Sequence, residues 1–218
     1  MMTRKNIVMN NCIKVYIKAF LAGVFIALGA TVYLSVSNKY LGAFLFSLGL
    51  FTICTMDFNL FTGKVCYALK NDIEYKLNLI NVWNGNFLGT FVIGIIVYNS
   101  RIFPGIKESV ESIIDTKMND SLISLFLLGI ICNIFIYIAV ESYKNNPHEL
   151  GKYLGLIFGV MGFILCGSEH CVADMFYFFL GCFSKSEFFP FGRLLIITLG
   201  NIVGGLLIPL IRKYLSKE

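Results

Sequence analysis

The chain has 218 residues, 57% of them hydrophobic and only 14% charged. Water-soluble domains carry charge at nearly twice that frequency, so the composition excludes one of these and points to a protein that crosses a membrane several times. The formal net charge of +5 at pH 7 sits on cations at the ends of apolar runs, where they set orientation, and does not predict nucleic-acid binding.

The first residues are polar and basic and lack a small-residue cleavage pattern, so no removable signal peptide is expected. Apolar segments long enough to span a bilayer then recur over residues 15–36, 41–69, 81–98, 122–140, 153–183 and 191–211. The polar stretch 99–120 joins the third to the fourth. No hydrophilic block is large enough for a second domain, so residues 1–218 read as one all-α transmembrane domain. With the N-terminus inside, twelve of the eighteen Lys and Arg (Arg4, Lys5 and Lys217 among them) fall at cytoplasmic ends, and six, including Lys117, fall outside. That asymmetry predicts both termini in the cytoplasm. Frequent Asn, Ile, Lys and Phe with only four Pro suggest an AT-rich bacterial genome, hence a bacterial cytoplasmic membrane.

Two of the six segments are too long and are interrupted. The second carries Thr55-Met56-Asp57-Phe58-Asn59 and then Leu60-Phe61-Thr62-Gly63-Lys64; the fifth carries Gly167-Ser168-Glu169-His170. Non-helical backbone survives at membrane depth only where protein or a water-filled cavity satisfies it. Broken helices in corresponding positions of two halves point to a site near the midplane.

The halves do correspond. Gly85-Asn86-Phe87-Leu88-Gly89 in the third segment matches Gly200-Asn201-Ile202-Val203-Gly204 in the sixth, 115 positions later. Phe20-Leu21-Ala22-Gly23 in the first resembles Phe126-Leu127-Leu128-Gly129 in the fourth. Each half, about 15–98 and 122–211, has three spans, so the second must enter the membrane inverted. This predicts an inverted 3+3 repeat with an aquaporin-like outline, with spans two and five broken at the midplane. A water or glycerol channel is disfavoured because no paired Asn-Pro-Ala elements occur at the breaks. Asn86 and Asn201 are expected to bond across helices or to the broken-helix ends. Gly42, Gly49, Gly155, Gly159 and Gly162 recur at spacings that bring helix backbones close.

The seven cysteines (Cys12, Cys54, Cys66, Cys132, Cys166, Cys171 and Cys182) form no Cys-x-x-Cys pair and are expected to be buried free thiols. Cys166 and Cys171 flank Glu169-His170, but their spacing matches no common metal site. A glutamate beside a histidine in mid-span is costly and marks a pathway or cavity. His170 offers a hydrogen-bond donor and, as an imidazolium, a partner or proton source for an anion. Free amides at the broken-helix N-termini would favour negative charge. Glu169 reads as a structural partner, capping amides of the opposite broken span or bonding Asn201. Lys64, at the inner end of the second span, attracts anions or snorkels.

Gly167, Glu169, His170, Val172, Ala173 and Met175 read close to the Gly-x-Glu-His-x-Val-Ala-Asn-Met motif of the formate/nitrite transporter family. The chain resembles that family over nearly its whole length. Leu60-Phe61-Thr62-Gly63 matches its Leu-Phe-Thr element, Cys132-Asn133 a Cys-Asn pair, and Asn81, Trp83, Gly85, Asn86 and Gly89 its third span. Its compactness is most similar to the short hydrosulfide-channel branch. The resemblance implies a homopentamer with one pore in each protomer and no cofactor. By register it makes His170 and Thr62 the central polar pair, with Asn133 nearby and Phe61 in the same pore set. Phe46 and Phe163 would form the outer constriction, Leu50 and Leu60 the inner one. Glu169, Asn59, Asn86, Asn201 and Asp174 would support the broken helices.

Two positions depart from the family pattern: Asp174 stands where the motif has Asn, and Asn59 stands where an acid usually precedes Leu-Phe-Thr. Asp57, two positions earlier, is not in register to replace it. The expected function is a channel or transporter for small monovalent anions, hydrosulfide first, with formate or nitrite as the alternative. A metal transporter using His170, Cys171, Asp174 and Met175 is a different class. An enzyme built on Ser168 beside Glu169-His170 has no recognisable motif, so none is expected.

Overall fold

In an apolar medium every backbone amide and carbonyl must be satisfied within its own segment, so runs of Leu, Ile, Phe and Val become helices. A computed structural model describes the backbone of residues 4–216 and the side chains of residues 12–216; among these there are helices and no strand. In chain order the helices are α1 (Arg4–Leu34), α2 (Lys39–Thr55), α3 (Phe61–Val65), α4 (Ile73–Tyr98), α5 (Ile102–Asn119), α6 (Leu122–Asn145), α7 (Glu149–Leu165), α8 (Cys171–Lys185) and α9 (Phe191–Leu215). A 3₁₀ turn, Ala68–Lys70, follows α3. Cys12–Leu34 of α1, together with α4, α6 and α9, is long and apolar enough to cross a membrane. The Arg4 and Lys5 side chains and Lys217, which enter the topology count, lie outside the described residues.

The breaks fall where the polar interruptions are. After α2, Asp57 adopts a left-handed φ of 51° and the Phe58 N–H reaches back to the Ile53 carbonyl at 2.9 Å. After α7, Gly167 takes φ 67° and the Ser168 N–H reaches the Phe163 carbonyl at 3.1 Å. Both are helix ends closed by a left-handed residue, a role glycine fills without strain and Asp or Asn tolerates. Asp57 is held there by Lys18, 2.6 Å away on α1, and is largely exposed.

Two features differ from the sequence reading. The third span begins at Ile73 rather than 81, because Asp72 caps α4 by accepting the Tyr75 N–H at 2.9 Å. The stretch 99–120 is not a plain linker. It contains the helix α5, whose apolar stripe Phe103, Ile106, Val110 and Ile114 is buried while Glu108 and Asp115 face out. Its charges hide a 3.6-residue period.

Packing is closest where glycines face carbonyls. α1 lies on α4, and a Cβ at Gly89 would stand 2.1 Å from the Phe20 carbonyl oxygen; α6 lies on α9, and one at Gly204 would stand 2.2 Å from that of Ile130. Against this frame α8 is buried on all sides from Cys171 to Gly181. Gly89→Ala and Gly204→Ala must therefore push two helix backbones apart, at about 1–3 kcal/mol each. Thermal unfolding in detergent should show both destabilised, whereas Gly192→Ala, with open space around it, should leave the midpoint unchanged.

Candidate functional site

Each break exposes amides that need partners, and one asparagine serves each. Asn86 accepts the Phe61 N–H at 2.8 Å and donates to the carbonyls of Ala19 at 2.7 Å and Asn59 at 2.9 Å. Asn201 accepts the Cys171 N–H at 2.8 Å and donates to the carbonyls of Gly129 and Glu169, both at 2.8 Å. Both asparagines are fully buried. Every side-chain hydrogen-bonding valence used here goes to backbone, so the two amides fix the positions of Leu60-Phe61 and His170-Cys171.

The result brings Thr62 and His170 together. Thr62 lies in the first turn of α3 and His170 is the N-cap residue of α8. The Thr62 Oγ1 is 3.0 Å from the His170 Nε2, and the His170 Nδ1 accepts the Ala173 N–H at 3.1 Å. A ring nitrogen that accepts carries no proton, so the imidazole proton sits on Nε2 and is donated to the Thr62 oxygen. The Thr62 hydroxyl proton is then left without an acceptor among the described residues. An imidazolium would have two donors and would strip the Ala173 N–H of its partner. The geometry thus holds a neutral imidazole, unlike the cation allowed for by the sequence. It also uses amides expected to be free: that of Cys171 goes to Asn201 and that of Ala173 to His170.

Apolar side chains flank this pair. The Phe163 ring stacks on His170 with centroids 5.4 Å apart, and Phe46 meets Phe163 edge-on at 5.8 Å. A cavity of about 120 Å³ opens on that side, lined by Phe46, Phe163, His170, Lys117, Asp174 and Tyr177. One turn further along α2, Leu50 and Leu60 line a second cavity of about 50 Å³ together with Asp57, Lys64 and Lys144. Asn133 approaches from α6 and donates to the carbonyls of Thr62 at 3.2 Å and Asn201 at 2.6 Å. It touches Thr62 through the backbone only. Asn59 points away, donating to the Val15 carbonyl at 3.1 Å. Phe61 contributes its N–H to the Asn86 contact, but its ring lines a groove between α4 and α9.

Lys117 is the residue that the sequence left out of the site. It comes from the end of α5, where the Arg193 Nη1 donates to the carbonyls of Lys117 at 3.1 Å and Asp120 at 2.8 Å. Its buried ammonium forms a close ion pair with the Glu169 carboxylate and another with the Asp174 Oδ1 at 2.8 Å. The Glu169 side chain is therefore satisfied by Lys117; what Asn201 bonds is the Glu169 carbonyl. The extra acid Asp174 faces the same ammonium, with its Oδ2 unpartnered among the described residues. No group of three His, Cys, Asp or Glu among the described residues is arranged to hold a metal ion. His170 and Asp174, offered as ligands from the sequence, are engaged by Thr62 and Ala173 and by Lys117.

Removing one partner of a buried ion pair leaves an uncompensated charge, at about 3–5 kcal/mol. Lys117→Met should accordingly lower the thermal unfolding midpoint sharply, and adding Glu169→Gln with Asp174→Asn should recover most of it. Equal stability of the single and triple variants would contradict the ion-pair assignment.

Three comparisons bear on this arrangement. The formate/nitrite transporter family profile matches residues 3–215. The formate channel FocA of Haemophilus influenzae is 28% identical over 213 residues, covering 83% of this chain and 75% of that protein. The formate channel FocB of Escherichia coli is 26% identical over 234 residues, covering 88% and 83%. Among solved structures, a pentameric formate channel with formate bound aligns over 95% of this chain and 98% of its own, with a TM-score of 0.80 and 24% identity. A second, described as an FNT family ion channel, covers 96% and 92% with a TM-score of 0.83 and 21% identity. The match over nearly the whole length, on a multi-pass helical frame, means that the chain belongs to the formate/nitrite transporter family, a family of membrane transporters and not of enzymes.

Proposed function

We propose that the chain is a channel for small monovalent anions, hydrosulfide first, in which the Thr62 hydroxyl meets the anion between two apolar closures. It acts as a single domain, residues 1–218, of six membrane-crossing segments in two inverted halves, about 15–98 and 122–211. The paired asparagine contacts, Asn86 on Phe61 and Asn201 on Cys171 at the same 2.8 Å, support that symmetry. A homopentamer with one pore per protomer is supported by the pentameric relative. Placement in a bacterial cytoplasmic membrane rests on the composition, and both termini inside on the charge asymmetry.

The observation that carries this reading is the Thr62–His170 pair at 3.0 Å, backed by Asn201 and flanked by Phe163. An anion would enter the cavity beside Lys117, pass Phe46 and Phe163, and accept the hydroxyl proton of Thr62 in a hydrogen bond. The His170 Nε2–H, donated to the same oxygen, polarises that hydroxyl without adding a fixed charge that would trap the anion. Leu50 and Leu60 close the opposite side, before the cavity containing Lys64 and Lys144. Asn59, Asn86, Asn133, Asn201, Glu169 and Asp174 hold the broken helices in place. Phe61 anchors the first break.

A single hydroxyl suits an anion with one accepting atom. A carboxylate would leave its second oxygen unpaired among phenylalanine and leucine side chains, at about 1–3 kcal/mol. Formate is the second reading, favoured by the formate channels among the relatives.

Flux into proteoliposomes decides between them. Hydrosulfide should pass faster than formate or nitrite, and Thr62→Val should slow it roughly tenfold or more, the value of one hydrogen bond to an anion. Formate flux equal to or above that of hydrosulfide would support the second reading, and an unaffected Thr62→Val would remove Thr62 from the path. His170→Asn keeps a side chain able to cap Ala173 but cannot reach Thr62. It should assemble and melt like the parent while losing most of its flux.

A further inference from the structure

The groove that takes the Phe61 ring lies on the far side of α3 from the central pair, and nothing in the pore account uses it. It is about 380 Å³ in volume and is walled by α4 and α9, with Leu79, Ile80, Trp83, Ile202 and Leu206 along its length. Its one charged lining residue is Lys76, near the start of α4. Two more ammonium groups lie beyond that end, lining a neighbouring cavity of about 450 Å³ with Tyr137 and Arg212. Lys70 closes the 3₁₀ turn whose Ala68 lines the groove, and Lys213 lies two turns beyond Leu206 on the same face of α9. All three lysines are exposed, and none has an ion-pair partner among the described residues. The neighbouring Asp72 is occupied at the α4 N-cap with the Tyr75 N–H, and Arg212 is taken by Glu141 and Tyr137.

We propose that this groove holds one acyl chain of an anionic phospholipid whose headgroup phosphate is bound by Lys76, Lys70 and Lys213. Within a bilayer an apolar groove gains nothing by exchanging one hydrocarbon neighbour for another. Selectivity must therefore come from the basic end, and it favours an anionic over a zwitterionic headgroup. Along α4, Trp83 lies seven residues from Lys76, on the order of 10 Å toward the membrane interior, which is acyl-chain depth. Its indole N–H is committed to the Thr198 Oγ1 at 3.3 Å, so the ring presents carbon to the groove.

Trp83 is the single tryptophan of the chain, so its fluorescence reports on this groove alone. The full-length protein is reconstituted in vesicles carrying equal mole fractions of brominated phosphatidylglycerol or brominated phosphatidylcholine. Quenching should be at least twofold stronger with the brominated phosphatidylglycerol, should fall to the phosphatidylcholine level in Lys76→Gln/Lys70→Gln, and should be retained in Lys76→Arg. Raising the salt concentration should weaken the preference. Equal quenching by both lipids would mean ordinary annular contact and would overturn the proposal. So would absence of quenching by either, which would mean that a second copy of the chain covers the face. Anion flux measured on the same vesicles keeps this outcome separate from that of the pore reading.

Discussion

Interrupting a helix at membrane depth leaves amides and carbonyls with no water to receive them, and the rest of the structure follows from how that demand is met. Asn86 and Asn201 each bridge the far side of a break to its own half: one carbonyl of the loop, the first amide of the next helix and one carbonyl of the facing helix. Such a contact works only if the facing helix comes close enough for its carbonyl to be reached. That explains why Gly85 and Gly89 surround one asparagine and Gly200 and Gly204 the other: a carbonyl stands where a side chain would be at Gly89, Gly200 and Gly204, and the Ala19 methyl at Gly85. Polar closure and glycine packing are one device, used twice.

What the device positions is a short chain of neutral donors. The Ala173 amide fixes the ring of His170, the ring fixes the Thr62 oxygen, and the hydroxyl proton is the group left over. Around it the protein places charge only at the margins: Lys117 against Glu169 and Asp174 in one cavity, Asp57, Lys64 and Lys144 in the other. In the proposed path an anion would be attracted at the end that carries Lys64 and Lys144, whereas at the other the Lys117 ammonium is already matched by two carboxylates, so that passage there relies on donors without net charge. Asp174 alters this balance by adding a second carboxylate to a single buried ammonium.

The sequence made the breaks legible because Asp57, Asn59, Glu169 and His170 are polar residues within apolar runs. It made the asparagine pair legible because Gly-Asn-x-x-Gly occurs twice in register. Lys117 was hidden for a physical reason. It belongs to a charged stretch that reads as a connection, it lies 52 positions from Glu169, and only the folding of α5 onto α8 carries its ammonium inward. The Phe61 ring was misjudged because neighbours in a five-residue helix face different ways, Thr62 toward His170 and Phe61 toward α4 and α9. The protonation state of His170 cannot be read from residue type at all. It depends on which nitrogen the Ala173 amide reaches.

That protonation state is the most direct test of the account. The chain has two histidines, so His148→Gln leaves His170 as the only imidazole to observe. Nitrogen-15 solid-state NMR of this variant in membranes at neutral pH should show a neutral ring with the proton on Nε2 and a bare, hydrogen-bonded Nδ1. A ring protonated on both nitrogens, or on Nδ1 alone, would contradict the neutral donor chain from Ala173 through His170 to Thr62.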